Sequence, residues 1–146
     1  MLDVNYVKAE IKKKIKEFNE VYEKNPIIMD DSEIEFVAKD IVRLNTALEK
    51  GWSVFALPDK EPPSIDRGAS YYSIFYVFDN RIHRLLLGDF IRAVGGVKTN
   101  RRDLPPYVFK SNAIGSDRAL DATDGFFRWL KNIGGKYIQI EASFGR

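Results

Sequence analysis

Basic side chains crowd one stretch of this sequence. Arg81, Arg84, Arg92, Lys98, Arg101 and Arg102 fall within 22 positions, against one acid, Asp89. Such a cluster can neutralise phosphates and release their counterions. Tyr71, Tyr72 and Tyr76 lie just upstream. On an exposed sheet face such rings, Tyr72 and Tyr76 above all, can stack on bases. The bland alternative is a solvated helix face above a core aromatic strand. No RNP, KH, zinc-finger or clear helix-turn-helix pattern accompanies the cluster.

Other chemistry finds less support. His83 is the only histidine. Ser70 or Ser73 would have to serve as its nucleophile, yet no Gly-x-Ser-x-Gly elbow is present. His83 therefore reads as a partly buried structural side chain. Asp117, Asp121 and Asp124 share one face if helical and could hold Mg²⁺, but their spacing is not that of an EF-hand loop. Acids near a helix N-terminus are favoured by its dipole in any case. A metal-dependent nuclease would draw on Asp59, Glu61, Asp66 or Glu141, with Lys136 nearby. The final strand, Lys136 to Glu141, lacks an acid and a lysine two residues apart. Gly95-Gly96 and Gly134-Gly135 are isolated pairs without phosphate-loop spacing. No catalytic residue, metal ligand or cofactor is assigned.

The elements that must position these residues follow from periodicity. Val4, Val7, Ile11, Ile15, Phe18 and Val21 predict a helix over about 3–24, capped by Asp3 and ended by Asn25-Pro26. Ser32 to Glu35 reads as a capping box for a helix over about 33–50, with Gly51 as its left-handed stop. The short loop between them predicts an antiparallel hairpin. Strands are expected at 52–57 and 70–78, the second central and covered on both faces. The proline-rich stretch 58–69 reads as an irregular loop. Asp79 is read as the cap of a helix over about 80–94, which would gather Arg81, Arg84 and Arg92 within an arc of about 80°. A hairpin turning at Asp79-Asn80 is the competing reading. A short strand at Tyr107–Phe109, a helix over about 118–132 and a last strand from Tyr137 complete the chain.

Bulk properties bound the rest. The chain has 146 residues, suited to one domain: a helical-hairpin subregion, 1–51, and a sheet-containing subregion, 52–146. Its apolar content supports a core. Cysteine is absent, which excludes disulfides and thiolate chemistry. The N-terminus does not resemble a signal peptide, and no apolar run approaches a membrane span of about 18 residues. Cytoplasmic residence is the expectation. Residues 1–66 hold 10 Lys/Arg against 14 Asp/Glu, a net −4, and residues 67–146 hold 13 against 7, a net +6.

The fold expected is α+β: an N-terminal antiparallel helical hairpin packed on a small mixed or antiparallel sheet, with two further helices. The function expected is non-enzymatic binding of nucleic acid or an acidic protein surface through the basic C-terminal half, without a membrane. A protein–protein adaptor or inhibitor, as a homodimer or not, acting through the hairpin or the aromatic strand, is the first rival. A Mg²⁺-dependent nuclease is the second.

Overall fold

The computed structural model describes residues 2–58, 69–94, 110–112 and 117–136, with side chains described for 2–55, 74–94 and 125–136. Helix α1 spans Val4–Val21, and the Asp3 carboxylate accepts the Tyr6 amide at 2.8 Å as its cap. Helix α2 spans Asp31–Lys50. Its cap is Asp30 rather than Ser32. Asp30 accepts the Glu33 amide at 2.8 Å, and Glu33 accepts the Asp30 amide at 3.3 Å. The capping box thus sits two residues earlier than the serine suggests, because Asp30 meets the same side-chain requirement and Ser32 donates to it instead. Gly51 ends α2 at φ +74°.

The two helices pair antiparallel. Lys8 bonds Asp31 and Glu35, and Lys12 bonds Asp31, so partner numbers fall as α1 numbers rise. The intervening loop folds back along α1. Asn19 exchanges two hydrogen bonds with the Ile27 backbone, at 2.7 and 3.1 Å. Buried Val7, Ile11, Ile15 and Phe18 of α1 face Ile34, Val37, Ile41, Leu44 and Leu48 of α2 in one core.

The sheet is antiparallel in every pairing described. Strand β2, Ala69–Phe78, is central: β1, Val54–Pro58, and β3, Arg81–Arg84, pair with it, and β4, Lys110–Asn112, pairs with its first residues. Ile74 and Tyr76 point inward against α2 and are buried.

Residues 79–94 correct the helical expectation. Asp79 and Asn80 adopt φ +51° and +60°, a two-residue turn of the I′ kind, and the chain returns as β3. Two successive left-handed residues cannot start a right-handed helix. The β-branched and aromatic run before them supplies a strand for β3 to pair with. Helical structure resumes only at a 3-10 turn, Gly88–Phe90, followed by α3, Ile91–Val94.

Helix α4, Asp117–Asn132, follows the predicted span and is continuous through Asp124-Gly125. Phe126, Phe127, Trp129 and Leu130 are buried, and Trp129 meets Phe90 edge-on at 5.0 Å. Its end is tied to α2: buried Asn45 accepts the Lys136 amide at 2.9 Å. Among the described residues no helix is long and apolar enough to cross a membrane. The Tyr107–Phe109 strand and the strand from Tyr137 lie outside the described residues.

Candidate functional site

The hairpin turn disperses the predicted arginine cluster. Arg81 and Arg84 lie on β3, opposite Phe78 and Phe75 respectively, and both are exposed. Three residues apart on a strand, they project to opposite faces. Arg92 is an interior residue, 5% exposed. Its guanidinium donates to the Asn25 and Pro26 carbonyls and lies 5.1 Å from the Phe18 ring centroid. It clamps the inter-helix loop to α3 and does not face solvent, which removes it as a phosphate contact. Tyr76 is fully buried and offers no face to a base. Lys98, Arg101 and Arg102 lie outside the described residues. Of Tyr72 only the backbone, in β2 opposite Pro58, is described.

Tyr76 belongs to a buried polar network instead. Its hydroxyl donates to Asp40 Oδ1 and accepts from Arg43 Nε at 3.3 Å. Asp40 Oδ2 accepts the Leu86 amide at 2.7 Å, and Arg43 Nη2 stands 3.6 Å from Oδ1. Burial is the first cause that pushes the Tyr76 phenol far above its ordinary range, and the hydrogen bond to Asp40 is the second. It is a fixed donor, not a base. His83 stacks on the Tyr76 ring at 5.2 Å, with Nε2 3.2 Å from the Phe78 carbonyl. Both side-chain oxygens of Asp40 are thus engaged within the protein, as buried polar atoms require. No group of three or more potential metal ligands converges among the described residues. Asp117, Asp121 and Asp124 fall on α4, whose first half is described for the backbone alone.

Beside the network lies a surface groove of about 390 Å³. Ser32, Glu33, Phe36 and Val37 of α2 line one side, and Leu86 and Gly88 the other. Met29 of the inter-helix loop reaches across, its Cε 3.6 Å from where a Gly88 Cβ would stand. Gly88 has φ +55°, a conformation that costs other residues. The described lining is mostly apolar, with Ser32 and one charged residue, Glu33. Phe36 is 55% exposed and Leu86 47%. Ile28, beside Met29, is more exposed still.

Periodicity explains why these side chains face out. Phe36 is one residue off the Val37–Ile41–Leu44 stripe, so burying the stripe turns the phenyl ring to solvent. In Leu85-Leu86-Leu87 burial alternates, and with Leu85 and Leu87 buried the middle leucine points outward. Asp40 carried a signal too. It stands three residues after Val37 and four before Leu44, on the apolar stripe itself, where a carboxylate demands internal partners.

Comparison of the chain with protein-family models, with curated proteins and with solved structures finds no match.

Proposed function

We propose that the protein is a non-enzymatic protein-binding module. In this reading its groove between α2 and residues 86–88 receives a partner segment carrying a large apolar side chain beside a basic one. The observation that carries it is the pairing of Phe36 and Leu86, two large apolar side chains left about half exposed across one groove. Fully burying such a side chain is worth about 1.5–3 kcal/mol, so covering the exposed half of each contributes roughly 1 kcal/mol. The volume lies within the range of roughly 300–1,000 Å³ usual for ligand pockets. Among the described residues Glu33 is the only charge in the lining, and no described cation pairs with it or with neighbouring Asp30. Asp31 beside them already pairs with Lys8 and Lys12. The mouth of the groove is therefore acidic, and charge complementarity favours a cationic partner.

A displayed library of random nine-residue peptides tests this. Wild-type protein should enrich sequences pairing an aromatic or aliphatic residue with Lys or Arg. F36E and L86E should each abolish that enrichment while remaining folded. Enrichment that survives both variants, or none with the wild type, refutes the reading. A mass that rises with concentration and returns to the monomer value in F36E would make the occupant a second copy of this chain.

A second reading keeps the polyanion partner. The rings of Phe55 and Phe75 stack at 5.6 Å on the sheet face away from Tyr76, and exposed Arg84 stands opposite Phe75. Such a surface suits stacking beside phosphate neutralisation by Arg84. Oligonucleotide affinity that falls steeply with salt, and less steeply in R84A, would favour it. Absence of binding at low salt would reject it.

A further inference from the structure

We infer that Asp40 is the positioning residue of the groove: its buried carboxylate sets the Leu86 wall against the α2 side of the same groove. The inference deepens the protein-binding reading and rests on it for its last step. Residues 85–87 belong to no helix or strand. Two backbone bonds hold the first two of them. The Leu85 amide reaches the Ile74 carbonyl at 2.8 Å, which extends the β2–β3 pairing. The Leu86 amide, beyond that pairing, reaches Asp40 Oδ2 at 2.7 Å.

Asp40 lies four residues after Phe36 and three after Val37, one turn along α2. One helix therefore supplies one side of the groove and, through a single charge-assisted bond, the hold on the other. The carboxylate cannot swing away. Its second oxygen accepts the Tyr76 hydroxyl from β2, and Arg43 approaches that same oxygen. Arg43, Tyr76, Asp40 and Leu86 thus form one chain of polar contacts from the surface through the core to the groove wall. An aliphatic residue at position 40 would satisfy the apolar stripe but leave the Leu86 amide unpaired and the Tyr76 hydroxyl without its acceptor.

Amide hydrogen exchange on the full chain, together with the same peptide selection, tests this. In the wild type the Leu86 amide should be protected although its side chain is half exposed. D40A should speed its exchange by about tenfold or more while Leu85 stays protected. D40N keeps one oxygen and should recover part of that protection. Peptide enrichment should follow the same order: wild type, then D40N, then D40A. If D40A fails to fold, D40N and Y76F carry the test, each with faster Leu86 exchange and weaker enrichment than the wild type. Unchanged Leu86 exchange in folded variants overturns the inference. So does faster exchange with undiminished enrichment. A wild type that enriches no peptide is a different failure, because it defeats the groove reading without any variant.

Discussion

The Asp40 carboxylate accepts the backbone amide of Leu86 at 2.7 Å, across 46 residues of sequence. This bond joins the second helix to the irregular segment after β3, at an amide that neither helical nor strand pairing serves. Its other oxygen takes the Tyr76 hydroxyl, so helix, sheet and groove wall meet at one side chain. A buried carboxylate with fewer partners would destabilise the core.

Removing the Tyr76 hydroxyl should cost about 1–3 kcal/mol, because Asp40 then loses a buried donor. The Tyr76 phenol is raised by burial and by Asp40, so the folded state holds its proton more tightly than the unfolded chain. Its contribution is fully present below the unfolded value of 10.0 and is lost as pH rises above it. Urea melts between pH 8 and roughly 10.5 should show this alkaline loss in the wild type and a smaller one in Y76F. Equal slopes would assign the alkaline loss to other groups.

Asp31 governs the acid side of the hairpin. Hydrogen bonds from Lys12 and then Lys8 lower its carboxyl from 3.8 to about 2. A depressed carboxyl stabilises above its unfolded value, and that contribution disappears as pH falls from 3.8 towards 2. D31N should lack this part of the acid transition, and added salt should reduce the difference between the two proteins. Thermal melts at pH 2.5, 4 and 6, at low and high salt, would read it.

The turn at Asp79-Asn80 should respond to backbone preference alone. Asn80 holds φ +60°, which glycine tolerates freely and a β-branched residue does not. N80G should leave stability unchanged or raise it by a few tenths of a kcal/mol, and N80V should lower it by about 1–2 kcal/mol. Chemical denaturation of the three proteins would decide. An N80V as stable as the wild type would contradict the hairpin.

Gly135 is held by packing rather than by backbone angle. A Cβ there would come within 2.7 Å of the Leu130 side chain and 2.9 Å of Asn45 Oδ1. Asn45 also accepts the Lys136 amide, so G135A should push apart the junction of α4 with α2 and cost about 1–3 kcal/mol. Faster exchange of the Lys136 amide in G135A would locate the damage.

The sequence by itself determined the α+β class, the capped helical pair, the central strand and the fourth helix. Each rests on local periodicity, on a capping side chain or on a glycine stop, and these act within a few residues. Residues 79–94 resisted that logic. Arg81, Arg84 and Arg92 match a helical arc in number, but Asp79 and Asn80 serve a tight turn as well as a cap. Only the availability of β2 as a partner selects the hairpin. The same step decided the site. Burial of Arg92 and Tyr76 depends on what folds over them, and the meeting of Asp40, Tyr76 and Leu86 is a contact across distant segments that no local spacing records. Exposure of Phe36 was latent in its place one residue off the apolar stripe of α2. That Phe36 and Leu86 face each other across one groove was decided only when residues 85–88 came to rest on α2.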